Sequence, residues 1–320
     1  MKNNYLNLSF IVSLVQILYF ACSNESSPTE NPVNQIQFPV AAQIFVQYAF
    51  ERCEGIAFNG EGELFVSGNA ALWHVDTEGN ATQIAQGSSN LGLAPIGNRD
   101  ILYADFGPTN AFDIGYNRDG VVWRVTPEGT QTEDAGNMGD PNFILVLEDG
   151  SYLVSDDATD EIHKVSTDGS VNIFTQLINH PNGLALSPDG TRLYVAQMFQ
   201  SINPITMDGR IWSIPFANGE LQGNPEVLVD LGANAANDGL AIDTEGRIYV
   251  ACWNYGQIIR IDPNTGEQVT IARNMPGVAS LAFGRGEFDN NAIYATSTLQ
   301  GVVWKVDVGI EGAALNVETN

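Results

Sequence analysis

The sequence has few basic residues, few cysteines and histidines, and no motif for a serine nucleophile. Its 13 Lys and Arg stand against 38 Asp and Glu, so the formal net charge of the 320 residues is −25. A field of that sign repels nucleic acid and anionic membranes and attracts cations, so we expect no nucleic-acid partner. The three Cys and three His show no spacing typical of a zinc site. The absence of a Gly-x-Ser-x-Gly elbow argues against a serine hydrolase.

The N-terminus resembles an export signal. Lys2 is followed by an apolar run over residues 8–21, which is too short to predict a membrane span. The run ends at Cys22, and the polar stretch behind it resembles a bacterial lipoprotein signal, with a plain secretory signal as the alternative. We therefore expect a signal peptide over residues 1–21, then a lipidated Cys22 and a flexible tether over residues 22–40. Ser23 resembles the signal for an outer-membrane destination, periplasmic or facing the surface.

Two further cysteines, Cys53 and Cys252, lie far apart in the rest of the chain. A disulfide between them would be compatible with an oxidising compartment. Because both lie in apolar segments typical of strands, we predict free, buried thiols instead.

An apolar-Ala-apolar motif, usually preceded by a small residue, recurs six times along the chain. The copies begin at Gly55, Gly92, Phe143, Gly183, Gly239 and Ser280. Two more short apolar segments of strand length follow each copy, and turns rich in Asn, Asp and Gly separate them. Successive copies are 37, 51, 40, 56 and 41 residues apart, close to the length of a propeller blade. Residues 107–119 and 198–209 account for the two long repeats and are expected to shape the pocket or its lid.

These repeats predict an all-β fold, a six-bladed β-propeller over residues 41–320 with four antiparallel strands in each blade. No stretch predicts a long amphipathic helix. The segment over residues 43–48 is expected to join the last blade and close the ring, and residues 314–317 compete for that position. His74 and His163 lie in third strands, away from the axis, and are interpreted as structural.

The residue just before each motif copy forms one column of the internal alignment. The column consists of Glu54, Leu91, Asn142, Asn182, Asp238 and Ala279. Four of the six carry oxygen donors, and a propeller would bring them together near one mouth of its channel. Such a ring suits a hard divalent cation, Ca²⁺ above all, with Mg²⁺, Mn²⁺ and Zn²⁺ as alternatives. Any one of these residues taken alone would be read as a turn or strand-entry residue.

Residues 237–253 resemble the gluconolactonase and senescence-marker-protein (regucalcin) family, and so do Cys53-Glu54-Gly55 and Pro181-Asn182-Gly183. The resemblance spans residues 41–308. It implies a six-bladed propeller with one catalytic divalent cation in the channel. The ligands of that family fall on the same four positions as the internal alignment: Glu54, Asn142, Asn182 and Asp238.

The resemblance implies metal-dependent hydrolysis of a lactone or related ester. Separately, we expect a monomer that contacts the membrane only through the lipid on Cys22. Asp238 would act as general base or as the main charge-bearing ligand, and His180 would be a proton shuttle or a plain loop histidine. This chain has Asp140 where the family often has a substrate-contacting arginine, and Phe143 follows Asn142. A lactone less polar than a sugar lactone is therefore expected. The alternatives are a non-catalytic binding module with a structural Ca²⁺ and a phosphotriesterase- or arylesterase-like hydrolase.

Overall fold

The computed structural model describes residues 36–109 and 117–317. Within these ranges β-strands are joined by turns and loops, and there is no helix. The expected signal peptide, Cys22 and most of the tether lie outside the described residues, as does the middle of the first insertion. Residues Ile36–Asn320 form one compact unit. Across these described ranges there is no helix of the length and apolarity needed to cross a membrane.

The strands form six antiparallel blade sheets, one for each repeat, as predicted, and one additional two-stranded sheet. β1 (Gln43–Val46) comes before the first complete sheet. Blade one consists of β2 (Cys53–Phe58), β3 (Leu64–Gly68), β4 (Ala71–Val75) and β5 (Ala81–Gln86). Blade two consists of β6 (Leu93–Ile96), β7 (Asp100–Asp105), β8 (Gly120–Val125) and β9 (Gln131–Met138). Blade three consists of β10 (Pro141–Val146), β11 (Tyr152–Asp156), β12 (Ile162–Val165) and β13 (Val171–Thr175).

Blade four contains the second insertion. It consists of β14 (Pro181–Leu186), β15 (Arg192–Gln197), β18 (Arg210–Ala217) and β20 (Glu226–Asp230), with the short β19 (Glu220–Leu221) beside β18. The insertion folds as a separate hairpin of β16 (Phe199–Ile202) and β17 (Ile205–Met207). Blade five consists of β21 (Asn237–Ile242), β22 (Ile248–Cys252), β23 (Gln257–Ile261) and β24 (Gln268–Ala272). Blade six consists of β25 (Val278–Phe283), β26 (Ala292–Ser297) and β27 (Val303–Asp307).

The second strand of each blade carries most of the core. All five residues of β3, β11 and β22 are buried, which explains their nearly continuous apolar sequences. The outer strands β5 and β13 are mostly exposed or half-buried, with one buried residue each, because they lie at the edge of their blades. Both Cys53 and Cys252 are free and fully buried, as predicted.

The N-terminal strand closes the ring. β1 pairs antiparallel with β27, placing Gln43 opposite Lys305, and so supplies the fourth strand of blade six. The structure therefore decides between the two segments that the sequence left open: the N-terminal segment closes the ring, and residues 314–317 do not. The C-terminal segment instead lies at the far end of the first strands, where the Asn316 side chain donates to the carbonyl of Val146 over 2.8 Å. Together with the later residues of the first strands, it lines a cavity of about 1080 Å³.

Candidate metal centre

Bulges at the start of the first strands position the candidate ligands. The pairing of first with second strands shifts register between Cys53 and Ile56 in blade one, and at the equivalent residues of blades three, four, five and six. Each shift contains the column residue of its blade. A bulge turns side chains out of the regular alternation of a strand. The bulge is therefore the local feature that turns the column residues away from the sheet.

Hydroxyl groups on the second strands satisfy amides that these bulges leave unpaired. Gly55 N–H donates to the hydroxyl of Ser67 over 2.8 Å, and Phe143 N–H donates to the hydroxyl of Ser155 over 3.0 Å. Ser280 N–H donates in the same way to Thr296 over 3.1 Å. A buried amide without a partner costs about as much as a lost hydrogen bond, so these hydroxyls stabilise the bulged conformation.

Glycine follows the column residue in four of the six blades because neighbouring blades approach closely there. A Cβ at Gly55 would overlap the carbonyl oxygen of Leu91, and a Cβ at Gly183 would overlap that of Asp238. Gly92 meets Asn142 in the same way. Each glycine therefore packs against the column residue of the next blade. This contact explains the small residue that recurs in front of the apolar motif.

The structure brings the four predicted ligands together. The side chain of Asn142 lies beside Glu54, and that of Asn182 lies beside Asp238. The carboxylate of Glu54 is close enough to repel that of Asp238. Asn142, Asn182 and Asp238 are buried, whereas Glu54 keeps partial exposure. Leu91 and Ala279, the two remaining column residues, add apolar walls and no ligand atoms.

The electrostatics of this centre favour a cation. Burial raises the pKa of Glu54 to about 7, although the hydrogen bond from Asn142 opposes the shift. Burial, and then the charges of Glu54 and Asp157, hold the pKa of Asp238 well above its usual range. Several carboxylates thus lie close together where water solvates them poorly, and their negative charges repel one another. A divalent cation would relieve both the desolvation and the mutual repulsion.

The donor atoms of the centre fit such an ion. The Oδ1 atoms of Asn182 and Asp157 are buried and have no hydrogen-bond partner among the described residues. The amide nitrogen of Asn182 is turned away, toward the sulfur of Met198 at 3.5 Å, which leaves its oxygen free to accept. Buried acceptors are rarely left unsatisfied. Glu54, Asn142, Asn182 and Asp238 therefore fit a hard divalent cation.

Asp157 is the residue that sequence reasoning missed. It directly follows β11, and its Oδ2 accepts a hydrogen bond from the amide of Asn142 over 3.0 Å. Burial, then the charges of Asp156, Glu54 and Asp140, raise its pKa well above the usual range. The position just after a second strand faces the column in other blades too. It is occupied by Asn69, Phe106, Asp157, Met198, Trp253 and Thr298.

A pocket of about 360 Å³ opens beside Glu54. Its apolar lining includes Leu91, Phe106, Trp253 and Leu299, and Arg52 lies among its polar residues. The indole nitrogen of Trp253 donates to the hydroxyl of Thr298 over 2.7 Å, which fixes the ring at the pocket wall. The pocket therefore offers a small, mostly apolar volume next to an acidic centre.

His180 and Phe143, which the sequence analysis also named, are not part of the ligand column. His180 has a left-handed backbone, with φ 47, and its Nδ1 lies 2.8 Å from the carbonyl oxygen of Asp157. This contact places it beside the centre through Asp157. Phe143 lines the larger inner cavity and is not among the residues lining the pocket at Glu54. The apolar character of that pocket comes from Phe106 and Trp253 instead.

A comparison with known protein families shows the family to which this chain belongs. A family model described as the SMP-30/Gluconolactonase/LRE-like region matches residues 47–298. The chain belongs to this family. The match contains all six first strands and all six column positions.

Regucalcins are among the relatives of this family member. It is 25% identical to the regucalcin of Sus scrofa over 182 residues, which is 56% of this chain and 54% of that protein. A shorter segment of 66 residues is 41% identical to the regucalcin of Xenopus laevis and covers 20% of this chain and 21% of that protein. The chain thus spans about half the length of the porcine relative and about a fifth of the frog relative.

Solved structures of the same fold include proteins described as regucalcin and gluconolactonase. The calcium-binding regucalcin of Agrobacterium tumefaciens superposes with a TM-score of 0.70 at 20% identity, covering 88% of this chain and 99% of that one. The gluconolactonase of Xanthomonas campestris superposes with a TM-score of 0.66 at 17% identity, covering 83% and 88%. At these identities the likeness shows the fold alone.

Proposed function

We propose that this protein is a divalent-metal-dependent hydrolase that opens a lactone or related ester at a cation held by Glu54, Asn142, Asn182 and Asp238. One observation carries the proposal. Side chains from four different blades converge on one buried acidic centre that still holds unsatisfied oxygens. Membership of the family and the solved gluconolactonase of the same fold support the reaction class.

The cation we propose is Ca²⁺. All four side chains offer oxygen, two as carboxylates and two as amide carbonyls, and Ca²⁺ accepts six to eight such ligands in flexible geometry. A structural neighbour of this chain is described as a calcium-binding protein. When bound, the cation would supply a Lewis acid that polarises the lactone carbonyl and stabilises the oxyanion.

The residues of the chain would divide the remaining work. Glu54 and Asp238 supply the negative charge of the ligand set, and the two amides complete it. Either Asp238, as the sequence predicts, or Asp157 beside it takes the proton from the attacking water. A pKa raised by burial brings a carboxylate nearer to neutral pH, where general-base catalysis is most effective. His180, held against the carbonyl of Asp157, would pass that proton toward solvent.

The pocket favours a lactone or ester with an apolar substituent. Phe106, Trp253 and Leu299 would bury that substituent, and an aromatic wall contributes most when it covers a flat or branched apolar group. Arg52 at the pocket offers a donor for a carboxylate or carbonyl at the other end of the substrate. We therefore expect aliphatic and aryl lactones to be better substrates than aldonolactones.

A lactone panel tests this proposal. The full chain would be assayed with aldonolactones and with aliphatic and aryl lactones, in Ca²⁺ and after chelation, with spontaneous hydrolysis subtracted. We expect Asp238→Ala and chelation each to lower turnover by at least about 100-fold, the order expected when a main electrostatic contribution is removed. The matched control is Asp168→Ala, which removes an exposed turn carboxylate and should leave turnover unchanged. If folded, cation-loaded protein opens no member of the panel, the centre is a structural cation site.

A further inference from the structure

We propose that Asp156, Glu161 and His163 form a second metal site, which takes a transition-metal ion of the Zn²⁺ class inside blade three. This site is separate from the all-oxygen centre in the channel. It shares none of the four residues proposed there, and its argument does not depend on the proposed reaction.

The three side chains converge from a short length of chain. Asp156 is the last residue of β11, Glu161 directly precedes β12, and His163 lies within β12. One ligand atom from each lies within 4.8 Å of the other two. His163 Nε2 is 3.2 Å from Glu161 Oε2 and 3.9 Å from Asp156 Oδ2.

The facing atoms are the ones left without partners. Asp156 Oδ2, Glu161 Oε2 and His163 Nε2 are all buried and have no hydrogen-bond partner among the described residues. The side chain of His163 is only 1% exposed. Leaving a buried polar atom unsatisfied is unfavourable, so three such atoms facing one another indicate a shared partner.

The other oxygen of each carboxylate is already fixed by the protein. Arg118 donates to Glu161 Oε1 over 2.9 Å, and the amide of Ala158 donates to Asp156 Oδ1 over 3.2 Å. A Cβ at Gly139 would overlap Asp156 Oδ2, so a glycine there gives that oxygen its space. Ligands held in this way by a second set of hydrogen bonds are typical of built metal sites.

The chemistry of the donors selects the class of ion. One imidazole nitrogen with two carboxylate oxygens is a common set for Zn²⁺, Mn²⁺, Fe²⁺ or Co²⁺, whereas Ca²⁺ takes oxygen ligands. Zinc ligands at about 2.0–2.1 Å in tetrahedral geometry lie about 3.3 Å from one another, close to the 3.2 Å between His163 and Glu161. The two carboxylates bring two negative charges, of which Arg118 offsets one.

The site adjoins the channel through the backbone. Asp156 is followed directly by Asp157, whose carboxylate accepts from Asn142. An ion held by Asp156 would therefore fix the end of β11 and, with it, the position of Asp157 beside the channel centre. We expect the ion to stabilise the end of β11 within blade three.

Spectroscopic metal titration tests the site without recourse to activity. The metal-free full chain would first be saturated with Ca²⁺ and then titrated with Co²⁺, which reports an imidazole-containing site through its visible absorption. We expect one equivalent of Co²⁺ to bind and to be displaced by Zn²⁺. In His163→Gln the affinity for Co²⁺ should fall by more than about 100-fold, since even removing a residue that only hydrogen-bonds to a metal ligand costs about 10–100-fold. Asp238→Asn should leave Co²⁺ binding intact.

His74→Gln is the matched control, because His74 also lies in a third strand and is 3.9 Å from a carboxylate, Glu63. It should bind Co²⁺ like the native protein. If His163→Gln fails to fold, X-ray absorption of the Zn²⁺-loaded native chain decides, and one nitrogen among oxygen ligands is expected. Folded, Ca²⁺-saturated protein that binds no Co²⁺ would overturn the site and leave the three side chains as a buried polar cluster without an ion. Binding that Asp238→Asn abolishes and His163→Gln keeps would place the ion in the channel.

Discussion

Individual carboxylates share one poorly solvated volume at the mouth of the channel. Burial is the largest cause of the raised pKa of Glu54, Asp157 and Asp238. The charge of Glu54 further raises the pKa of the other two, and the charge of Asp157 further raises that of Asp238. Carboxylates that only stabilise a turn behave differently in this chain. At Asp76, for example, hydrogen bonds from Asn80 lower the pKa. The contrast marks the channel group as one arranged for a ligand and not for local stability.

The repeats made the four column residues predictable, since each occupies the same position in its own blade. Asp157 was not predictable in this way, because only blade three has an acid directly after its second strand. The sequence feature that could have indicated Asp157 is the pair of adjacent acids, Asp156 and Asp157, at the end of an apolar segment. His163 was read as a structural strand residue because no spacing motif links it to Asp156 and Glu161; a tight turn brings the three together.

Cys53 gives a residue-scale prediction with a defined pH dependence. Burial raises the pKa of its thiol from 9.0 to about 12. Only the thiolate reacts with iodoacetamide, so native Cys53 should stay unmodified at pH 9, where an unfolded cysteine is half ionised. Its reactivity should appear only as pH rises toward 12 or when the protein unfolds.

Peptide mapping by mass spectrometry after alkylation checks this, and it separates Cys53 and Cys252 from Cys22. The Cys252 thiol should follow the same course, because burial also raises its pKa to about 12. Rapid labelling of either residue in the folded protein at pH 8 would contradict the buried positions.

At the scale of the strand, the bulged start of the first strand in five of the six blades links fold to site. The bulge turns the column residue away from the sheet, a second-strand hydroxyl satisfies an amide of the bulge, and the following glycine allows the next blade to approach. The recurring small residue was visible in the sequence. The bulge was not visible, because a register shift depends on how two strands pair and is not marked by a particular type of residue.

Gly183→Ala tests this link. The new Cβ would overlap the carbonyl oxygen of Asp238, and the backbone atoms of blade five would have to move. We expect a loss of about 1–3 kcal/mol in the free energy of unfolding, the usual cost of overpacking, together with weaker Ca²⁺ binding. Chemical denaturation and calorimetric titration measure the two effects.

Gly136→Ala is the control for that substitution. Its Cβ would meet only the movable side-chain oxygen of Glu133, at 2.8 Å, in the outer strand β9. It should leave cation binding unchanged and stability within about 0.5 kcal/mol. Equal loss of cation affinity in both variants would show that the close approach at Gly183 has no special role.

At the scale of the molecule, closure by β1 turns a row of blades into a ring. The site needs this ring, because Glu54 in blade one meets ligands from blades three and five. The hydroxyl of Thr296 in blade six donates to the carbonyl of Glu54, so blade six also holds the position of the first ligand. Sequence periodicity predicted the number of blades. The choice between two terminal segments for closure depended on packing that periodicity does not encode.

Paired deletions test the closure. Removing residues 36–46 takes away β1, including the buried Val46 and the aromatic contacts of Phe45 with Phe288 and Tyr294. It should cost about 3–5 kcal/mol, the burial of two such side chains, and leave the edge of β27 unpaired. Removing residues 314–320 should change the melting temperature little. The opposite ranking in thermal denaturation would refute closure by the N-terminal strand.

The most direct test of the whole account measures cation occupancy and turnover on the same samples. The metal-depleted full chain would be titrated with Ca²⁺ in equilibrium dialysis, and hydrolysis of the best lactone of the panel would be followed at each point. We predict that turnover rises in proportion to occupancy of one site and that Asp238→Ala loses both together. Full occupancy without turnover of any lactone, or undiminished turnover in the chelated protein, would contradict the account.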